Sequence, residues 1–300
     1  PRQTKHTTTL SKNITATLKQ HQSVSFKWML NCYLKGLPGI LNADDQGLGK
    51  TLQSIAFMAW LQEHQKFNEG GSFRPILVVA PTSLLLNWQE EVNIHMNGEK
   101  LGTRIEAYGS GLKGLRTNLK GIDTDDSSSE TRLDFSKFLR SDKPSPTWIL
   151  TTYKTLTNYA QSFAKISFAT VIFDEIQNIK NPGTLQNNAA NNLKADFKIG
   201  LTGTPVENSL SDLWSIMDTL VPGYLGSLKK FNEKFSGGNL ELLKELYDRI
   251  FHSTKGNMGD QNLPSLGIRR MKSEAAADLP LKRYEKYPSE MIAFQADAYS

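Results

Sequence analysis

Residues 43–51 read ADDQGLGKT, between a short apolar run, GILNA at 39–43, and a segment with helical periodicity from Thr51 to Gln65. Strand, glycine-rich turn and helix in that order are the setting in which a phosphate-binding loop forms. Gly47 and Gly49 let the backbone curl until its N–H groups point at anionic oxygens, and the following helix adds the positive end of its dipole. Asp44, Asp45, Gln46, Gly47, Leu48 and Gly49 supply the cradle. Lys50 reaches the β and γ phosphates as a point charge, and the Thr51 hydroxyl is a ligand for Mg²⁺. One position departs from the G-x-x-x-x-G-K-S/T pattern, which wants glycine where this chain has Asp44. A turn that merely caps a buried helix would explain the glycines, but it gives no reason for the Gly-Lys-Thr triplet in this setting.

Outward from the loop the same rhythm repeats. RPILVVAP (74–81), TWILTTY (147–153), FATVIFDE (168–175) and FKIGLTGTP (197–205) are apolar at consecutive positions, which predicts strands buried on both faces. Helix-period segments at Ser83–Val92 and Leu185–Leu193 alternate with them. The fold class is therefore α/β, a parallel sheet flanked by helices over about residues 36–221. Two segments break the rhythm. Residues 121–146, with DTDDSSSE and a proline pair, read as a surface loop or short insertion. After Gly226 the β signal vanishes, and 226–280 reads as a helical appendage.

The strand at 168–175 ends on Asp174 and Glu175, at the end of a parallel strand where ligands bind. There Asp174 suits a Mg²⁺ ligand and Glu175 a general base that polarises an attacking water. A strand ending in Asp-Glu is also a common helix cap, and it is the loop at 43–51 that favours the catalytic reading. The third element, GLTGTP, places Thr202, Gly203 and Thr204 at another strand end, where small hydroxyl residues can couple the metal site to a second ligand. A plain turn explains this element nearly as well.

Composition narrows the class. With 38% hydrophobic and 22% charged residues the chain is an ordinary globular one, not a disordered or filament-forming one. The apolar run Ile76–Ala80 is far short of the roughly 18 residues that cross a bilayer. No membrane partner is expected, and no basic-then-apolar leader is visible. One cysteine, Cys32, fits a reducing, intracellular setting: cytoplasm or nucleoid in a bacterium, nucleus in a eukaryote. The opening Pro1 points to an excised piece. Of the +5 net charge, six Lys or Arg with no acid lie in residues 1–43, so the basic character belongs to an N-terminal arm, most simply a solvated one.

Five stretches in order, ADDQGLGKT, VVAPTSLLLNWQEE, ILTTYKTL, VIFDEIQNIKNP and LTGTPVENSLSDLWSIMDTLVPGYLG, closely resemble the first motor lobe of SWI/SNF-type ATPases in helicase superfamily two. The resemblance runs from about Leu18 to the end of the chain, and aspartate at position 44 is usual in that family. It implies a RecA-like ATP-binding lobe at 18–225 after a basic arm at 1–17, a helical protrusion at 226–280, and at 281–300 a connection towards a second RecA-like lobe. It implies ATP and Mg²⁺ as cofactors, duplex DNA as the track, and possible DNA-bound protein complexes as targets.

Residue by residue, the resemblance makes Gln22 a reader of the adenine edge. It makes Pro81, Thr82 and Ser83, then Thr151, Thr152 and Tyr153, then Lys180 and Asn181, contacts to the DNA backbone, although each could instead be a cap or turn residue. Such contacts set register without reading bases. Gln177 stands where many remodellers carry histidine. Trp88 reads as core packing. Arg269 and Arg270 fall in the stretch resembling the inter-lobe connection, away from the γ phosphate, because the family's arginine fingers lie in the second lobe. An RNA-dependent or restriction-type motor of the same superfamily, or a nucleotide-gated binding module without turnover, are the alternatives.

Overall fold

A computed structural model describes residues 1–4, 6–68, 73–97, 101–118, 131–139, 145–205, 209–235, 237–252, 254–255 and 262–275. The DTDDSSSE stretch and the segment 281–300 lie outside the described residues. The central sheet is built from β1 (Gly39–Asn42), β2 (Ile76–Ala80), β3 (Thr103–Ala107), β4 (Thr147–Thr152), β5 (Thr170–Asp174), β6 (Lys198–Leu201) and β7 (Gly267–Ile268). Their spatial order is β7-β1-β6-β5-β2-β4-β3, and every pairing is parallel.

The consecutive apolar residues have the expected cause. In β2, Ile76 and Val78 join one core while Leu77 and Val79 join the other, so both faces are covered. On one face lie α1 (Gln20–Leu34), α2 (Lys50–Asn68) and α3 (Leu85–His95). The opposite face packs α4 (Tyr153–Asn158), α5 (Leu185–Asn191) and α6 (Leu210–Leu220).

α2 is buried all round, from Ile55 through Leu61. A helix with no polar side needs cover on both sides, and the second cover is the N-terminal arm. Trp60 Nε1 donates to the Thr7 carbonyl at 2.7 Å, Thr4 Oγ1 lies 3.0 Å from His64 Nδ1, and His6 Nε2 lies 3.0 Å from Glu63 Oε2. Arg2 lies over the Tyr33 ring at 4.4 Å and donates from its backbone to the Leu34 carbonyl. The solvated basic arm expected from charge alone is therefore corrected. Residues 2–4 and 6–16 run as a strap along α2, with Ser11 and Ile14 buried, because the apolar outer side of that helix gives them something to bury.

Three further differences have physical reasons. β3 was not expected because it is an edge strand, TRIEA, whose charged residues face outward and break the buried pattern. Residues 131–139 are not a bare loop: Thr131–Leu133 pairs antiparallel with Arg116–Asn118, and Leu133 and Phe135 are buried in the core. Past Gly226, α7 (Leu228–Phe235) and α8 (Leu240–Phe251) match the helical reading, but the chain then returns to the sheet. Its two-residue strand β7 extends the edge beside β1, too short to leave a pattern in the sequence.

Candidate nucleotide site and nucleic-acid face

Register places the three chemical elements side by side. Asn42 pairs with Leu201, and Leu201 with Asp174, so the C-terminal ends of β1, β6 and β5 form one rim. The loop leaving β1 turns through Gly47 (φ 84°) and Gly49 (φ 78°), conformations that L side chains resist. A Cβ at Gly49 would also come within 2.3 Å of Gln22 Nε2, so the Gln22 side chain would have to move. Beneath the loop, Asn42 Nδ2 donates to Gln53 Oε1 at 2.7 Å, and Gln53 Nε2 donates to the Leu48 carbonyl at 3.0 Å. Lys50 Nζ donates to the carbonyls of Asp44 (2.7 Å) and Asp45 (3.2 Å), which pins the lysine across its own loop. Burial lowers the Lys50 pKa, and the fields of Glu175, Asp44, Asp174 and Asp45 oppose that shift, so these four acids converge on one ammonium.

The acidic strand end is held from three sides. Trp88 Nε1 donates to Asp174 Oδ2 at 2.8 Å, the Glu175 N–H to Asp174 Oδ1 at 3.0 Å, and the Tyr153 hydroxyl to the Asp174 carbonyl at 2.8 Å. Burial raises the Asp174 pKa, and the Trp88 donor works against that rise. Glu175 adopts the left-handed conformation (φ 50°, ψ 57°), alone among the described non-glycine residues. Such strain costs on the order of 1–3 kcal/mol and gathers at functional sites. Gln177 Nε2 donates to Glu175 Oε2 at 2.7 Å, so the glutamine aims the second carboxylate.

Thr202 is buried and takes the Thr204 N–H on its hydroxyl at 3.0 Å; Gly203 approaches Gln46 of the loop. Gln22 is also buried at the loop. Its Oε1 accepts the Lys19 N–H at 2.9 Å, and its Nε2 faces the Leu48 carbonyl at 3.4 Å. Lys50, Thr51, Asp174, Glu175, Gln177, the Thr202–Thr204 turn and Gln22 thus belong to one neighbourhood. A buried carboxylate beside a lysine-bearing loop and a hydroxyl is the donor set expected where Mg²⁺ is held mostly by phosphates and one or two carboxylates.

The nucleic-acid segments divide. Thr82 and Ser83 are exposed at the end of β2, and Asn181 is exposed beyond the acidic strand. Thr151 is fully buried and donates its hydroxyl to the Ala107 carbonyl at 2.7 Å, while the buried Tyr153 is the strut under Asp174. Thr151 has no surface to offer a nucleic-acid backbone, which corrects that expectation, whereas Tyr153 commits its hydroxyl inward but still lines the groove beside Thr152. Thr152 caps α4 by accepting the Thr155 N–H. Lys180 Nζ lies 3.8 Å from Asp212 Oδ2. A cavity of about 470 Å³ opens between the ends of β2 and β4, lined by Pro81, Thr82, Thr152, Lys154, Asn158 and Asn178 among others.

Sequence reasoning missed Lys154, Asn158 and Asn178 in this groove, and the hydrogen bond from Trp88. It set Arg270 apart from the γ phosphate without foreseeing that its guanidinium grips Asp44. The Trp88 signal was faintly readable, an indole on the helix that follows a ligand-end strand. Arg270, 226 residues from its partner, left none.

A parallel sheet with a phosphate-type loop, an acidic strand and a Thr-Gly-Thr turn on one rim defines a RecA-like lobe. The SNF2-related domain profile matches residues 21–300. The chain belongs to the SNF2-related family. Zorya protein ZorD of Escherichia coli O139:H28 is 35% identical over 281 residues, covering 88% of this chain and 23% of ZorD. Chromatin-remodeling ATPase INO80 of Arabidopsis thaliana is 31% identical over 266 residues, 89% of this chain and 16% of INO80. The chain thus spans less than a quarter of these relatives. The Sulfolobus solfataricus SWI2/SNF2 ATPase core in complex with dsDNA superposes with a TM-score of 0.64 at 32% identity, over 89% of this chain and 48% of that one. Among the described residues no helix is long and apolar enough to cross a membrane.

Proposed function

We propose that this lobe binds Mg²⁺-ATP and, in the full-length protein, hydrolyses it to ADP and phosphate to drive movement along duplex DNA. The observation that carries the reading is that the loop leaving β1 and Asp174 at the end of β5 share one rim, on either side of β6, with Asp174 and Glu175 near enough for their charges to act on the Lys50 ammonium. In this role Lys50 exchanges its loop carbonyls for the β and γ phosphates, and the loop N–H groups take the remaining oxygens. Thr51 and Asp174 hold the metal, which when bound neutralises charge on the phosphates. Glu175, aimed by Gln177, takes the proton of the attacking water. Gln22 reads the adenine edge, and Thr202, Gly203 and Thr204 couple the phosphate end to the nucleic-acid face.

Pro81, Thr82, Ser83, Lys154 and Asn181 form the backbone track, with Thr152 and Lys180 at its margin. A second RecA-like lobe in the same protein supplies the arginine that stabilises transferred charge, so the lobe alone turns over slowly. The protein acts inside the cell, on DNA and on complexes bound to it. Steady-state ATPase assays on the full-length protein and on the lobe, each with duplex DNA, RNA or neither, test this. Stimulation by duplex DNA in the full-length protein alone is expected. Stimulation only by RNA would move the protein to another motor class. Binding with no single-turnover hydrolysis would make it a nucleotide-gated module, and fast turnover by the lobe alone would remove the need for a second lobe.

A further inference from the structure

Asp44 has no exposed surface, yet it sits in the loop read here as taking a triphosphate. An unpaired carboxylate in that place would repel phosphate oxygens and bear the desolvation penalty of a buried ion. Its partner arrives from the far end of the chain. Arg270 Nε donates to Asp44 Oδ1 at 3.0 Å, and Nη2 donates to Oδ2, a two-pronged contact.

The same guanidinium reaches the helix that carries Gln22. Arg270 Nη1 donates to the His21 carbonyl at 2.8 Å, and Nη2 also meets Ser25 Oγ. The backbone continues the grip: the Asp45 N–H donates to the Arg270 carbonyl at 3.1 Å, and the Lys272 N–H to Asp45 Oδ2 at 2.9 Å. Behind these contacts, Ala43 N–H donates to the Ile268 carbonyl at 2.8 Å, which continues the β1–β7 ladder into the loop. One side chain therefore joins the adenine-side helix, the phosphate loop and the strand that returns from the helical protrusion.

We infer that Arg270 is a positioning residue of the nucleotide site: it neutralises Asp44 and fixes the loop against the Gln22 helix, so that nucleotide affinity depends on it. The inference rests on the loop being the triphosphate site. A pair that only fastened β7 to the sheet would lower stability when broken. It would not make nucleotide affinity depend on the charge at position 44.

The test is a double-mutant cycle in the full-length protein, with a non-hydrolysable ATP analogue and Mg²⁺ titrated by calorimetry. Arg270→Gln should weaken binding at least about tenfold in the native background and less than about threefold when Asp44→Asn has already removed the charge. In steady-state assays the loss should fall on KM more than on kcat. Arg270→Lys keeps the charge but not the fork, and should lie between native and Arg270→Gln. Equal losses in both backgrounds, or unchanged affinity, would overturn the inference. If Arg270→Gln does not fold, Arg270→Lys closes the same cycle, with a smaller loss that is still larger in the native background than beside Asp44→Asn; equal losses would overturn the inference. Native protein that binds no nucleotide, or a Lys50→Ala variant that binds as well as native, would instead overturn the phosphate-loop reading on which the inference rests.

Discussion

The rim of the sheet carries two regions that relate differently to their sequence motifs. Around Lys50, the residues that the motifs single out are those that meet at the site. Along the groove between β2 and β4, Thr151 points into the core instead, and Tyr153 lines the groove but turns its hydroxyl inward to the Asp174 carbonyl. A phosphate loop works through backbone directions that nearby glycines set, so spacing along the chain is already the geometry. A groove is assembled from several strand ends, and successive strand residues face opposite ways. A motif crossing such an end therefore contains both the surface contacts and the struts behind them.

The largest expected effect lies on the loop side of this comparison. Glu175→Gln keeps shape but loses the base, and should lower kcat of the full-length protein by about 10²–10⁴ while Mg²⁺-ATP still binds. Asp174→Asn should weaken Mg²⁺-dependent binding itself. Nucleotide affinity measured beside single-turnover rates separates the two; equal loss of binding in both would dissolve the division of roles between the carboxylates.

Lys50→Ala removes the long cation that bridges the loop, and a fall of about 10²–10³ in ATP hydrolysis is expected with circular dichroism unchanged. Near-native turnover in that variant would end the ATPase reading. It would also erase the contrast between the regions, since the loop would then be no better a guide to function than the groove.

Legibility in the sequence follows the same division. The five strands buried on both faces could be read from runs such as ILVVA, because burial on two sides leaves no choice of residue type. β3 could not, since an edge strand with Arg104 and Glu106 facing out resembles a polar loop. β7 could not, because two residues carry no period. The loop, Asp174 and Glu175 were legible because they are local. The strap of residues 2–4 and 6–16 and the Arg270 contact were not, since each depends on a surface that exists only once distant segments have packed.

Trp88 belongs to both regions, for its helix begins beside the exposed Thr82 and Ser83 and its indole ends on Asp174. Trp88→Phe keeps most of the buried bulk and deletes the donor. A hydrogen bond to a charged group contributes roughly 1.5–3 kcal/mol, so Mg²⁺-dependent ATP binding should weaken by about tenfold or more. Direction in pH gives the sharper test. Burial already raises the Asp174 pKa and the indole N–H holds it down, so without that donor it should climb further. Activity needs the ionised carboxylate, hence the acid limb of the pH–rate profile should move to higher pH. A lower melting temperature with an unmoved acid limb would mean that Trp88 only fills space.

The smallest effect expected is on the groove, where it distinguishes contacts from struts. Lys154 is exposed on the groove wall, and a lysine that meets one phosphate releases about one counterion on binding. Lys154→Ala should therefore reduce the slope of log affinity against log salt for duplex DNA by about one unit, with little dependence on base sequence. Lys180→Ala should change the slope less, because its ammonium already faces Asp212 Oδ2 at 3.8 Å and stays partly compensated when DNA is absent. Thr151→Val should leave the slope unaltered, since its hydroxyl is committed to the Ala107 carbonyl, although some stability is lost with that buried hydrogen bond. Filter-binding or anisotropy titrations at several salt concentrations measure all three variants in one format. If Thr151→Val alters the slope as much as Lys154→Ala does, the inward-facing residue is a contact after all, and the two regions of the rim follow a single rule.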